Sequence, residues 1–504
     1  MNLLVAVAAG LSFPLAAVRW LRVCQREHYI AGSCSRFAVR WWTCRWENLV
    51  ASVIAVLAAG AAMAWPPAGF AVAAIAAAGP IGLGLRGMTS ALRWTFRLRR
   101  LAGISALVYG ACAALGALPG LGPRPVVLAT LLSPVVIDVA AALALPLERR
   151  LSEGFVRKAR ERLREVSPTV VAITGSYGKT TTKEYLRHLV TGSKTVVASP
   201  ASFNNRLGLA RAINDHLTAG TDVFVAEMGT YGPGEIAEMT SWVKPDVSVI
   251  TAVGPVHLER FRSLERIARA KAEIVDGAET VVVNADDPLV VRAVDEVKRD
   301  ARIIGCSLED RDADAYVEEQ GDSFVVHAVG VPLGTLRVDM FPMNVACAVG
   351  AALALGVPTE VIARRLEGLR APEHRRQVAT SPRGISVIDD TYNSNPRGAA
   401  AALELLKGVA RDGARRAVVT PGMVELGPEQ DRENRVFARR AATEATDLVV
   451  VGRTNRRSLL AGSRGGTANV TVLDSRDQAV AWVRSHLSSG DAVLYENDLP
   501  DHYP

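Results

Sequence analysis

Apolar residues dominate five runs in the first third of the chain, at 2–18, 48–65, 70–85, 101–118 and 126–146. Each approaches the roughly 20 residues that a helix needs to cross a bilayer. The runs predict an α-helical membrane domain of about five transmembrane helices over residues 1–150. Their connections alternate in charge. Arg19, Arg22, Arg26, Arg36, Arg40 and Arg45 lie between the first two runs, and Arg86, Arg93, Arg97, Arg99 and Arg100 between the third and fourth. The other two connections hold only Arg124. Basic loops stay in the cytoplasm, so five crossings predict an outside N-terminus and cytoplasmic residues after 146, as in an integral protein of a bacterial plasma membrane. Trp20, Trp41, Trp42, Trp46, Trp65 and Trp94 fall near the run ends, where interfacial anchors sit. Arginine follows the first run instead of preceding it, which argues against a signal peptide.

Beyond the fifth run the period changes. Residues 147–165 read as an amphipathic helix, with 151–167 as a linker. Strand-like runs at 170–173, 195–198, 222–226, 247–251, 280–283 and 301–305 then alternate with helical patterns, and 313–340 read as shorter β excursions. Helical segments at 344–355 and 359–369 follow. Past Pro372, strand-like runs at 385–388, 417–420, 448–451, 470–473 and 492–495 form a second, smaller α/β domain. The predicted order is a central domain over 168–371 and a C-terminal domain over 372–504. Sheets of this class bind ligands at the carboxyl ends of their strands.

Charge sharpens the division. Residues 1–150 carry 14 Arg, no Lys and 4 acidic residues, so the remainder is about three units negative within a chain of net +7. The basicity belongs to the membrane domain and implies no nucleic-acid partner. Six cysteines without a CxxC pair suit reduced thiols better than a disulfide framework. Cys24, His28, Cys34 and Cys44 crowd one loop at spacings unlike those of a common zinc site. Asp138, inside the fifth run, has two readings: a functional group, or a helix–helix hydrogen bond.

The stretch Val170-Val-Ala-Ile-Thr-Gly-Ser-Tyr-Gly-Lys-Thr-Thr-Thr-Lys-Glu184 runs from a buried strand through two glycines into a helix. That order gathers backbone N–H groups and a helix N-terminus around one point, the way a protein holds phosphate. Lys179 is placed to reach terminal phosphates and the Thr180 hydroxyl to meet magnesium, although only two residues separate Gly175 from Gly178 where the usual loop has four. Glu227 ends a strand, His257 follows another, and Lys271 lies soon after. With Thr180 they offer ligands at one sheet edge, where phosphate-bound magnesium needs one or two carboxylates.

These residues, with Phe203-Asn-Asn-Arg-Leu-Gly208, Glu227-Met-Gly229, Gly254-Pro-Val-His-Leu-Glu259, Ala270-Lys-Ala-Glu273, Asp389-Asp-Thr-Tyr-Asn-Ser-Asn-Pro396 and Gly422-Met-Val-Glu-Leu-Gly427, resemble the Mur ligases over about residues 168–430. The nearest branch is the one that joins D-alanyl-D-alanine to a muramyl tripeptide. The resemblance implies a P-loop central domain and a Rossmann-like C-terminal domain. It also implies a role for each matching position. Gly175, Ser176, Gly178, Lys179, Thr180 and Thr181 would cradle ATP; Asn344 would contact adenine, Asp390 the ribose and Arg375 the phosphates. Thr180 and Glu227 would hold one Mg2+, His257 and a carbamylated Lys271 a second. Asn205 would lie near the reacting groups, with Asn393 and Asn395 near the junction where the amine arrives.

The implied activity is ATP-dependent amide-bond formation through an acyl phosphate in peptidoglycan or envelope-precursor synthesis. The membrane domain replaces the family's UDP-binding domain, so the carboxylate substrate is expected to be lipid-linked or presented at the membrane, with an amino acid or dipeptide as amine and membrane lipid as a partner. Glu496-Asn-Asp-Leu-Pro-Asp501 stands where the family has a Lys-Gly-Ser stretch. Two other readings are a poly-γ-glutamate type of amino-acid ligase and a non-catalytic ATP-binding membrane regulator.

Overall fold

The computed structural model describes residues 1–87, 89–200, 203–297, 300–321, 323–337, 340–370, 377–391, 394–411 and 413–504. The chain divides into two compact units, Met1–Leu151 with Gly452–Thr454 and Asp498–Pro504, and Ser152–Val451 with Asn455–Asn497.

The first unit is helical: α1 (Asn2–Arg26), α2 (Ser33–Thr43), α3 (Trp46–Ala61), α4 (Gly69–Ala78), α5 (Phe96–Leu115), α6 (Arg124–Leu131) and the start of α7 (Ser133–Val166). Among the described residues α1 and α5 are long and apolar enough to cross a membrane, and the count rises to four if the bent pairs α2–α3 and α6–α7 each make one span. Five such helices are not found among the described residues. The third run yields only the ten-residue α4, which stops at Gly79-Pro80 and is about 15 Å long, half a hydrocarbon core.

Arg19, Arg22 and Arg26 also depart from their predicted place in a loop. They continue α1 and share one of its faces at i, i+3 and i+7. Arg19 Nη1 donates to the Ala77 carbonyl at 2.8 Å, Arg26 Nη2 to the Ala91 carbonyl at 2.9 Å, and Arg22 Nη1 to Ser90 Oγ at 3.2 Å. The carbonyls freed where α4 ends thus find donors on α1. Asp138 takes the helix–helix role. Its carboxylate accepts the N–H groups of Cys34 (3.1 Å) and Ser35 (2.8 Å) at the N-terminus of α2, where a negative charge is favoured. Cys24 and Cys34 are buried free thiols. The C-terminal residues complete this unit: the indole N–H of Trp41 donates to the His502 carbonyl at 2.9 Å, and Tyr503 packs edge-on against Phe37.

The second unit holds two sheets. The first has nine strands, β1 (Thr169–Thr174), β2 (Val196–Ala198), β3 (Val223–Glu227), β4 (Val247–Ile250), β5 (Thr280–Asn284), β6 (Arg302–Ser307), β7 (Ala315–Gln320), β8 (Ser323–Ala328) and β9 (Val331–Arg337). Their order is β2-β3-β1-β4-β5-β6-β7-β8-β9, parallel as far as β7 and antiparallel beyond. Strand β1 shows why it is apolar on both faces. Val170 and Ala172 enter one core, with Trp242 and Phe261, while Val171 and Ile173 enter the other, with Tyr185 and Val345.

The second sheet has six strands, β10 (Gln377–Thr380), β11 (Ser386–Asp390), β12 (Arg416–Thr420), β13 (Asp447–Val451), β14 (Asn469–Leu473) and β15 (Ala492–Glu496). Their order is β10-β11-β15-β12-β13-β14, with only the β10 pairing antiparallel. The α/β expectation holds for both sheets.

Candidate active site

The chain leaves β1, builds β2 and β3 on one side of it, then crosses to β4 on the other. The carboxyl ends of β1, β3 and β4 therefore border the crevice where such sheets bind ligands. The loop after β1 turns at Gly178 (φ +81), the N-cap of α8 (Lys179–Val190). That conformation suits glycine. The space does too, because a Cβ there would lie 2.4 Å from Asn344 Oδ1. Asn344, from the helix Pro342–Ala354, is thus set directly against the loop.

The Ser176 hydroxyl, buried, donates to the Gly254 carbonyl at 3.1 Å and accepts the Gly254 N–H at 3.0 Å, tying the loop to the chain after β4. Tyr177 lies against Gly254, where a Cβ would meet its ring at 2.3 Å, and burial pushes its hydroxyl pKa well above the usual tyrosine range. Lys179 folds back to donate to the Gly175 carbonyl at 2.7 Å. Thr181 is buried on the inner face of α8.

Glu227, at the end of β3, is the centre of the site. Its Oε2 accepts the Thr180 hydroxyl at 3.0 Å and the Lys183 ammonium at 3.0 Å, and its Oε1 accepts the Asn204 amide at 3.2 Å. Burial pushes the Glu227 carboxyl up, yet the charges of Lys183 and Lys179 and the hydrogen bonds from Lys183 and Asn204 outweigh it and leave the pKa below the ordinary value. The group is a buried anion. Asn205 caps the helix Arg206–His216, accepting the Gly208 N–H at 2.9 Å, and is exposed. The partner of Glu227 is its neighbour Asn204.

Lys271, on the helix Leu264–Ala272, is buried, and that burial, helped by the charge of Lys179, drives its pKa well below that of a free lysine. His257 begins the short helix Leu258–Phe261 at φ +57. Its ring stands edge-on to Tyr231 at 4.8 Å, and its Nδ1 lies against the carboxylate of Glu425, which the second sheet sends from the loop after β12. Of Thr180, Glu227, His257 and Lys271, the first two are joined by a hydrogen bond. No group of three His, Cys, Asp or Glu suited to a metal forms among the described residues. A single buried carboxylate beside a hydroxyl nevertheless fits magnesium that arrives with phosphate oxygens, since this ion is seldom caged by protein alone.

Asp390 ends β11 beside Glu496 on β15. Arg375 and Asn393 lie outside the described residues. Asn395 caps the helix Pro396–Val409 through the Gly398 N–H at 2.9 Å. Sequence reasoning gave no role to Lys183 or Asn204. The available signal was spacing: Lys183 follows Thr180 by one helical turn and shares its face.

The family model for the Mur ligase middle domain matches residues 173–352, and that for the Mur ligase, glutamate ligase domain matches residues 374–495. The UDP-N-acetylmuramoyl-tripeptide--D-alanyl-D-alanine ligase of Mycobacterium tuberculosis (strain ATCC 25618 / H37Rv) is 35% identical over 367 residues, covering 65% of this chain and 69% of its own. The enzyme of that name from Bacillus subtilis is 31% identical, covering 53% and 59%. Among solved structures, MurF from Acinetobacter baumannii superposes with a TM-score of 0.59 at 25% identity, over 68% of this chain and 77% of its own. The Thermotoga maritima MurF ligase in complex with ADP gives 0.59 at 25%, over 69% and 80%. A phosphate loop and a buried carboxylate where two sheet strands end could serve many nucleotide enzymes, but the match runs on through both α/β domains, and on that ground the chain belongs to the Mur ligase family, the ATP-dependent acid–amino-acid ligases of peptidoglycan synthesis.

Proposed function

We propose that this chain is a membrane-anchored ligase that joins the carboxylate of a muramyl-peptide-like envelope precursor to the amine of an amino acid or dipeptide, through an acyl phosphate. The observation that carries the reading is the Thr180–Glu227 pair beside Lys179 at the N-terminus of α8. A helix N-terminus and a lysine receive the triphosphate, and the hydroxyl–carboxylate pair receives its cation. The backbone of Gly175, Ser176 and Gly178 would line the phosphates, and Asn344 borders the same loop. When bound, magnesium offsets the charge that builds on the phosphoryl oxygens in transfer.

Lys271 has a separate task. Burial favours its neutral amine, the form that adds carbon dioxide with loss of a proton to give a carbamate. That anionic group, with His257, would hold a second ion. The γ-phosphoryl then passes to the substrate carboxylate, an amine displaces phosphate from the acyl phosphate, and an amide remains.

The anchor is the helical unit, with α1 and α5 as its spans and the ligase unit on the cytoplasmic side, where ATP is found. A membrane address raises the local concentration of a precursor confined to the same surface, which favours a lipid-linked carboxylate. Purified protein in detergent or vesicles, with ATP, Mg2+ and D-alanyl-D-alanine, should release phosphate with a lipid-linked muramyl peptide. Release with the soluble UDP-muramyl tripeptide alone would remove the lipid-linked substrate, and hydrolysis indifferent to every carboxylate and amine pair would remove the ligase reading.

A further inference from the structure

The carboxylate of Glu227 is held by more than a magnesium site requires. Lys183 lies one turn along α8 from Thr180, and its ammonium stands 3.0 Å from the Glu227 oxygen that also accepts the Thr180 hydroxyl. The two side chains are 0% and 3% exposed. Lysine is seldom buried unless paired, and among the described residues Glu227 is the carboxylate paired with it. With Asn204 on the other oxygen, both sides of the carboxylate are already engaged by donors.

This arrangement bears on when a metal can enter. A divalent ion on Glu227 Oε2 would share that oxygen with an ammonium, leaving one carboxylate to offset both cations where both paired side chains are buried. Repulsion between like charges is strong where solvent is excluded. A triphosphate changes the balance, because it brings its own negative oxygens to the same point.

We propose that Lys183 is a positioning residue that orients Glu227 and withholds it from free divalent cation, so that the site takes up metal only together with the triphosphate. The proposal rests on the reading of Thr180 and Glu227 as magnesium ligands. It goes beyond that reading in assigning an order of binding, and a residue that imposes it.

Manganese, a paramagnetic ion that also takes oxygen ligands, makes the order measurable by electron paramagnetic resonance on the full-length protein. Without nucleotide, Lys183→Met should bind Mn2+ about tenfold more tightly than the unmodified chain, within the usual range of coupling between sites, and Lys183→Arg should not differ from it. With a non-hydrolysable ATP analogue, the unmodified chain should bind Mn2+ tightly and the gap should close. A purely structural lysine would only weaken metal binding when removed, so Mn2+ affinity that is unchanged or lower in nucleotide-free Lys183→Met overturns the proposal. Lys183→Gln supplies the same comparison if the methionine variant does not fold. An unmodified chain that takes no Mn2+ even with the analogue overturns the ligand reading itself, and the proposal with it.

Discussion

The guanidinium of Arg22 donates to Asp501 Oδ1 at 2.9 Å and so ties the first helix to a residue three positions before the last one of the sequence. Arg22 is buried, and the same carboxylate oxygen accepts the Ser90 N–H at 3.0 Å. Asp501→Ala would leave a buried arginine without its carboxylate, at a cost of about 3 kcal/mol. The expected result is a clear fall in the melting temperature of the detergent-solubilised protein. Replacing both partners with apolar residues, Arg22→Met with Asp501→Leu, should recover much of that loss, because it removes the stranded charge as well as the pair.

Glu496 gives the second sheet a pH dependence. It is fully buried at the end of β15, with Ser394 and Thr420 hydroxyls on its two oxygens. Burial pushes its carboxyl up to about 8, with the Thr420 hydroxyl pulling down and Asp390 adding to the rise. The unfolded chain has an ordinary glutamate near 4.3, so the folded state holds the proton more tightly. The contribution is complete below about pH 4.3 and is lost as pH rises through about 8, a change on the order of 5 kcal/mol at most. Glu496→Gln should flatten the slope of unfolding free energy between these values and leave the variant more stable than the unmodified chain at pH 9. A slope unchanged by the substitution would assign the pH dependence to other groups.

What could be read in advance depended on whether the deciding contact was local. The run from Val170 to Ile173, the two glycines and the following helix lie together in sequence, so β1, the loop and α8 were legible. The strands of both sheets were legible too, except β10, whose Gln-Val-Ala-Thr has little apolar pattern. The burial of Lys183 was not. A lysine in an amphipathic pattern reads as solvent-facing, and here its partner Glu227 comes from a different element, 44 residues further along the chain. The same reason hid the His257–Glu425 pair, which needs two loops from different sheets. In the helical unit, hydropathy found the apolar runs but not where helices stop: α7 passes through Pro146 without a break, while α4 ends after ten residues.

Lys271 carries a chemical prediction. Lys271→Ala removes the amine that would form the carbamate, and ligase turnover should fall roughly 100-fold or more, the scale on which metal sites respond to lost support. A short carboxylic acid such as acetate, small enough for the space the side chain leaves, should restore part of the activity by supplying an oxygen anion. Lys271→Ala that acetate does not rescue, with normal folding by circular dichroism, would point to the ammonium instead of a carbamate as the working group.

The phosphate loop can be tested through one glycine against another. Gly178 has φ +81, and a Cβ there would meet Asn344 Oδ1 at 2.4 Å. Gly192, just after α8, has φ +97 and open space around it. Both Gly→Ala changes impose the left-handed backbone penalty of about 1–2 kcal/mol on an alanine. Only the first also displaces Asn344 and the backbone that would face the triphosphate. Gly178→Ala is therefore expected to weaken ATP-analogue binding about tenfold, near 1.4 kcal/mol, beyond any loss of stability. Gly192→Ala should lower the melting temperature and leave nucleotide affinity where it was. Equal effects of the two on affinity, measured by calorimetry, would mean that the loop's shape is not what binds nucleotide, because strain without contact would then suffice to explain the loss.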